Sequence, residues 1–100
     1  MIYYVDIDNT VMSQPYIGST DYKDHIPIPE RIEKINRLFD EGHTIVYYTA
    51  RGTRSGIDWY ELTKTQLESS GARYDELSVG DKPHFDVIID DKAINAEDFF

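Results

Sequence analysis

The chain has 100 residues, of which 40% are hydrophobic, and 10 basic against 19 acidic residues give it a net charge of -9. This length and composition predict one globular domain over residues 1–100 and argue against disorder. No apolar run approaches the roughly 20 residues of a membrane span, and the acidic surface argues against nucleic acid as a partner. The chain lacks cysteine and a recognisable secretory leader, so we expect a cytoplasmic protein without disulfides or thiolate zinc sites.

The first half of the chain predicts a strand, a loop, a helix and a second strand. Residues 2–7 form a continuous apolar run, which is typical of a strand covered on both faces. A loop-like segment over 8–27 follows. Apolar residues at helical spacing then predict a helix over 28–42, with Pro29 in its first turn. The next apolar run, 44–49, predicts the second strand.

The second half continues the alternation of strands and helices. A polar loop over 50–56 precedes a predicted helix over 58–70. Two further strands are predicted over 74–79 and 85–90, and 95–100 is expected to form a short terminal helix or to fray. This order predicts an α/β fold with a parallel sheet of four strands.

Polar side chains stand at the predicted carboxyl ends of the strands, where open α/β sheets bind their ligands. Each residue alone has an ordinary explanation as a turn former, a helix cap or a solvated charge. Their joint occurrence at one edge of the sheet favours a functional site. The residues concerned are Asp6, Asp8, Thr49, Lys82, Asp90 and Asp91.

The stretches "DIDNT", "YYTAR", "DKP" and "IIDD" occur in this order at those strand ends. Together they resemble the four motifs of the haloacid dehalogenase superfamily, whose members are phosphohydrolases with an aspartate nucleophile. Residues 28–52 and 87–95 are similar to a subgroup described as capsular polysaccharide biosynthesis phosphatases. The resemblance implies a three-layer Rossmann-like core. Because the segment over 9–29 is short, it also implies a chain without a cap domain.

The resemblance implies a role for each residue of the first three motifs. Asp6 matches the nucleophile that forms an aspartyl-phosphate, and Asp8 matches the general acid and base. Two residues apart on an extended strand, both side chains point to the same side. Thr49 and the backbone N–H of Ala50 are expected to hold the phosphoryl oxygens, and Lys82 is expected to neutralise nucleophile and phosphate together.

A phosphate dianion facing two carboxylates requires a cation, and Mg²⁺ prefers oxygen ligands. The resemblance implies Mg²⁺ as the cofactor, held by Asp6, by Asp8 through its backbone carbonyl, by Asp90 and, directly or through water, by Asp91. The histidines are scattered along the chain and do not predict a metal cluster. They are His25, His43 and His84.

Several further residues are expected to contact the substrate. Asn9 replaces a glycine that is common in the first motif, and asparagine tolerates the turn angles that glycine serves. Arg51 and Arg54 follow the second motif and either bind an anionic substrate or are solvated. The expected substrate-binding residues are Asn9, Thr49, Ala50, Arg51 and Lys82.

The loop over 14–25 is a candidate for substrate specificity through Tyr16, Tyr22 and Lys23, although a mobile surface loop explains it as well. A second subunit is the other candidate for closing an open site, so a homo-oligomer is also considered.

The sequence thus predicts a Mg²⁺-dependent phosphomonoester hydrolase that acts on a sugar phosphate or a related small metabolite. Two alternatives remain open, namely a polynucleotide end phosphatase and a non-catalytic Mg²⁺-binding or interaction protein of the same fold. A dinucleotide-binding domain is disfavoured because no G-x-G-x-x-G follows the first strand.

Overall fold

A three-stranded parallel sheet forms the centre of the protein in the computed structural model, which describes residues 1–15 and 21–100. In chain order the elements are β1 (Ile2–Asp6), β2 (Met12–Ser13), a 3₁₀ turn (Tyr22–Asp24), β3 (Ile26–Pro27), α1 (Pro29–Asp40), β4 (Thr44–Thr49), α2 (Tyr60–Ser69), β5 (Glu76–Val79) and α3 (Ala96–Phe99). The sheet has the order β1-β4-β5, and both pairings are parallel. The predicted α/β class, in a Rossmann-like arrangement, is therefore confirmed.

Both predicted helices are present. Helix α1 has Pro29 at its start, buries Ile32 and Ile35, and ends before Gly42, which adopts a positive φ of 95°. Helix α2 begins two residues later than predicted, and the Asp58 side chain accepts a hydrogen bond from the N–H of its first residue, Tyr60. In the described part of the chain, no helix has the length and apolar character that crossing a membrane requires.

The hydrophobic core lies between the sheet and α1 and α2. Its buried members include Ile7, Ile35, Ile45 and Leu67. Tyr47 of β4 is fully buried among them, and its hydroxyl has no hydrogen-bond partner among the described residues. Burial raises the pKa of this hydroxyl well above its ordinary value, so the phenol stays neutral.

The prediction of a fourth strand over 85–90 is wrong. This segment forms no strand, and the side chains of Val87 and Ile89 are 75% and 95% exposed. An apolar run supplies the tendency to form a strand, but a strand also needs a neighbour in register. Here the preceding turn is fixed at the carboxyl end of the sheet by contacts of Lys82, and the chain leaves from there without pairing with the outer edge of β1.

The segment predicted as a loop over 8–27 contains regular structure. Strands β2 and β3 pair antiparallel, with Met12 opposite Pro27, and the 3₁₀ turn lies between them in sequence. This small hairpin-like unit places the 3₁₀ turn against the carboxyl end of the large sheet. Tyr16, one of the residues considered for specificity, lies outside the described residues.

Candidate active site

A cavity of about 350 Å³ lies at the carboxyl ends of β1 and β4. The parallel register places Asp6 opposite Tyr48, so the residues that follow the two strands come together at one edge. Of the residues expected at the site, those that line the cavity are Asp6, Asp8, Thr49, Ala50 and Arg51. The structure therefore brings the first two motifs into one place.

The two aspartates at the carboxyl end of β1 reach this cavity because the residue between them is turned inward. Ile7 is fully buried in the core, and the alternation of an extended strand sends Asp6 and Asp8 to the other side. Asn9 then turns the chain with a left-handed φ of 62°, as expected for asparagine at this position. Its side chain is exposed and lies outside the residues that line the cavity, so the structure gives Asn9 a role in the turn.

Asp6 is held by two donors, one for each carboxylate oxygen. The Nζ of Lys82 donates to Oδ1 at 2.8 Å, and the hydroxyl of Thr10 donates to Oδ2 at 2.9 Å. The ammonium group of Lys82 also lies over the rings of Tyr48 and Phe85, at 4.7 and 5.3 Å from their centroids. The aromatic faces stabilise the cation while excluding water. The side chain of Asp6 remains 29% exposed, so it can meet a ligand.

Asp8 sits in a denser network of donors. Arg51 binds it with both arms of its guanidinium, Nε to Oδ2 at 2.9 Å and Nη2 to Oδ1 at 2.7 Å. The Nδ1 of His25 lies 2.7 Å from the same Oδ1. Burial alone raises the pKa of Asp8, but the hydrogen bonds and charges of Arg51 and His25 outweigh it and bring the pKa below its ordinary value. Asp8 is therefore ionised at neutral pH in the free protein.

Arg51 differs from its expected role as a substrate-binding residue. It is 1% exposed, and all five of its guanidinium N–H groups point to partners within the protein. Besides Asp8, these partners are Thr63 and Gln66 of α2 and the sulfur of Met12. Arg51 thus joins α2 to the end of β1, and it has no N–H left to offer a ligand.

Thr49 is buried at the end of β4, with its hydroxyl between two groups of the site. The oxygen accepts a hydrogen bond from the backbone N–H of Arg51 at 3.2 Å, and the hydroxyl proton points to Oδ2 of Asp8 at 3.5 Å. The second contact is long, so the hydroxyl can exchange it for a phosphoryl oxygen. Thr49 and Ala50 therefore both line the cavity, and their expected role in phosphoryl binding stays a prediction.

The two carboxylates expected from the fourth motif do not join this site. Asp90 and Asp91 are exposed, and the Asp90 carboxylate accepts a hydrogen bond from the backbone N–H of Lys92 at 3.4 Å. Over residues 1–15 and 21–100, no group of three or more acidic or histidine side chains is placed to hold a metal ion. Since the segment over 85–90 forms no strand beside β1, it does not carry these aspartates to the end of the sheet.

His25 is a site residue that the sequence did not reveal. It is 5% exposed, touches Asp8 through Nδ1, and leaves Nε2 buried without a partner among the described residues. Tyr22, one of the residues considered for specificity, does line the cavity, and its ring lies 4.7 Å from the guanidinium carbon of Arg51. Lys23 is exposed and lies outside the lining. No pattern in the loop marked His25 as the partner of an aspartate 17 residues away.

Comparison with known proteins gives a likeness in structure. No family model and no curated protein matches the chain. A crystal structure of a target protein from Vibrio cholerae is similar, with a TM-score of 0.82 and 27% sequence identity over 98% of this chain and 85% of that one. That protein is described only as a target, so the likeness bears on the α/β fold and not on the activity.

Proposed function

We propose that the protein is a phosphomonoester hydrolase of the haloacid dehalogenase type, which acts on a sugar phosphate or a related small metabolite. The observation that carries this proposal is the placement of Asp6. Its carboxylate is part-exposed at the cavity, paired with Lys82 at 2.8 Å, and adjacent to a second carboxylate, that of Asp8. A nucleophile, a cation and an ionised base at one strand end suit transfer of a phosphoryl group to the protein and then to water.

In the first step, an oxygen of Asp6 attacks phosphorus and the bond from phosphorus to the leaving oxygen breaks. Lys82 offsets the negative charge of nucleophile and phosphate. Thr49 and the N–H of Ala50 are available for the phosphoryl oxygens. Asp8 is ionised in the free protein, so it protonates the leaving oxygen only after taking up a proton. A leaving group that is stable as an anion does not need this proton.

In the second step, water attacks the aspartyl-phosphate. A new bond forms between the water oxygen and phosphorus, the bond from phosphorus to Asp6 breaks, and inorganic phosphate leaves. The ionised carboxylate of Asp8 accepts the proton of the attacking water. Here the low pKa of Asp8 is no obstacle, because the group starts the step as a base.

Mg²⁺ is part of this proposal for two reasons. The resemblance to the haloacid dehalogenase superfamily implies it, and a cation is needed to offset the charge of a phosphate dianion. The arrangement of the described residues does not fit such a site, because Asp90 and Asp91 lie exposed and no third ligand joins Asp6 and Asp8. When bound, the ion would supply positive charge beside the phosphate. No step of the proposed reaction is assigned to it.

The test is hydrolysis of an aryl phosphate and of a panel of sugar phosphates by wild type and by Asp6→Asn. We expect Asp6→Asn to lose more than about a hundredfold in turnover while its circular dichroism stays unchanged, because an amide is not a nucleophile. Asp98→Asn removes an equal charge from an exposed residue of α3 and serves as the matched control. We also expect the mass of wild type quenched in acid during turnover to show one added phosphoryl group, absent from Asp6→Asn.

Two results would contradict the proposal. Full activity of Asp6→Asn would exclude covalent catalysis by this residue. A wild-type protein that hydrolyses none of these esters, with or without Mg²⁺, would favour the non-catalytic alternative.

A further inference from the structure

One positively charged side chain that lines the cavity is not paired with a carboxylate of the described residues. Lys82 is paired with Asp6, and Arg51 is paired with Asp8. Arg54 lines the same cavity, is exposed, and makes no ion pair with any residue that the structure describes. In a chain with nearly twice as many acidic as basic residues, an unpaired cation at the cavity calls for an anionic ligand.

The loop that carries Arg54 is fixed in place by the residue before it. The hydroxyl of Thr53 lies 3.0 Å from the carbonyl oxygen of Gly80 and 2.7 Å from that of Lys82, and it shares its proton between them. The backbone N–H of Thr53 also donates to the carbonyl of Ala50 at 2.9 Å. Thr53 therefore fixes two stretches of backbone. One is that of Lys82, which is the cation beside the nucleophile, and the other is the backbone next to Arg54.

The close fold of this loop also depends on Gly52. Its φ is 83°, and a Cβ placed there would lie 2.1 Å from the carbonyl oxygen of Ile57, which no side chain can tolerate. The N–H of Gly56 closes the loop by donating to the carbonyl of Gly52 at 2.9 Å. A loop held at this many points presents the backbone of Arg54 at a defined position, so binding has only the side chain left to order.

The neighbours of Arg54 at the cavity are polar as well. Ser55 and His84 line it, and the hydroxyl oxygen of Ser55 accepts the N–H of Ile57 at 3.2 Å, so its own proton is free to donate. Arg54, Ser55 and His84 thus form a polar rim. Its members are separate from the pair of Asp6 and Lys82 that takes the reacting phosphate. The volume of about 350 Å³ is in the range of sites for small molecules and exceeds what a phosphate group alone occupies.

We infer that this polar rim binds a second anionic group on the leaving-group side of the substrate. The substrate class is then a sugar or polyol phosphate that also carries a carboxylate or a second phosphate. This inference rests on the proposed function for the identity of the first phosphate. A guanidinium suits both candidates for the second group, because its paired N–H donors match carboxylate and phosphate alike.

The test measures binding, so that it does not depend on turnover. The ligands are glucose 6-phosphate, 6-phosphogluconate and glucose 1,6-bisphosphate, titrated calorimetrically into Asp6→Asn and into Asp6→Asn combined with Arg54→Met. We expect Arg54→Met to weaken the binding of one or both ligands with a second anion by about 10- to 100-fold, and that of glucose 6-phosphate by about twofold or less. The ligand that responds identifies the carboxylate or the phosphate as the second group.

Arg37→Met is the matched control, since Arg37 is an exposed arginine in the last turn of α1 and lies outside the lining of this cavity. It makes the same change in net charge, and we expect no selective effect. In wild type and Arg54→Met with Asp6 intact, kcat/KM for the same esters should follow the same pattern.

Two outcomes would overturn the inference. If Arg54→Met weakened the binding of all three ligands equally, Arg54 would contact the reacting phosphate. If Arg54→Met left the affinity for each ligand unchanged, Arg54 would be merely solvated. Selective binding in a wild-type protein that hydrolyses nothing would uphold the inference while removing the proposed hydrolase activity.

Discussion

Arg51 and Asp8, which are 43 residues apart, form a two-point ion pair with N–O distances of 2.9 and 2.7 Å. The pair joins the loop after β4 to the end of β1, and the remaining donors of Arg51 join both to α2 through Thr63 and Gln66. Since the arginine is buried, water cannot replace these contacts. This pair holds the candidate base of the site in one orientation.

We expect Arg51→Met to lower the free energy of unfolding by about 2–4 kcal/mol, because it leaves the part-buried carboxylate of Asp8 without its main cation and removes the donor to Thr63 and Gln66. Arg51→Lys should recover little, since an ammonium cannot bind both oxygens and α2 at once. Urea denaturation followed by circular dichroism measures both. Arg54→Met, which removes an exposed arginine three residues away, should change the value by about 0.5 kcal/mol or less. A loss below about 1 kcal/mol for Arg51→Met would show that this network does not stabilise the fold.

The low pKa of Asp8 predicts how this contribution depends on pH. Its pKa in the folded protein lies below the ordinary value of 3.8, so the group stabilises the fold fully above that value and loses its contribution as the pH falls through the folded pKa. We therefore expect wild type to be more stable than Asp8→Asn at about pH 5, with the difference shrinking below about pH 4. Urea midpoints across this range test the sign. A difference that grew on acidification would mean that the pKa of Asp8 is raised on folding.

Mg²⁺ is tested by its effect on thermal stability. The sequence places the adjacent carboxylates Asp90 and Asp91 in the fourth motif, and a cation that relieves their repulsion at the site of Asp6 would bind the folded protein selectively. Because the structure leaves Asp90 and Asp91 exposed and apart from Asp6, we expect millimolar Mg²⁺ to leave the melting temperature of wild type and of Asp90→Asn unchanged. Asp98→Asn is the control for the loss of one acidic charge. A rise in the melting temperature with Mg²⁺ that Asp90→Asn removes would contradict this expectation and return Asp90 to the site of Asp6.

Tyr47 offers a prediction about the core that is independent of the site. Its hydroxyl is buried without a partner among the described residues, which costs free energy that phenylalanine would not incur. We expect Tyr47→Phe to raise the free energy of unfolding by about 1–2 kcal/mol. The half-buried ring of Tyr74 packs edge-on against that of Tyr47, with 5.8 Å between the ring centroids. Tyr74→Phe serves as the control and should change the free energy of unfolding by about 0.5 kcal/mol or less. A destabilised Tyr47→Phe would reveal a hydrogen bond to that hydroxyl, for example from an enclosed water.

Local patterns in the sequence determined much of this protein. The apolar spacing and the proline predicted α1, and the apolar run over 44–49 predicted β4 with its bounds. The alternation Asp6-Ile7-Asp8 placed one side chain in the core and two at the cavity. These features depend on neighbours in sequence, whose geometry follows directly from helix and strand periodicity.

The tertiary structure alone decided the partners of those residues. The pairing of His25 with Asp8, and the use of every Arg51 donor inside the fold, depend on how the 3₁₀ turn and α2 pack against the strand ends. Nothing in the spacing of the residues records that packing. The apolar run over 85–90 shows the same limit, because a strand exists only where a neighbouring edge accepts its hydrogen bonds in register, and the turn that Thr53 and Lys82 hold directs this segment away from β1.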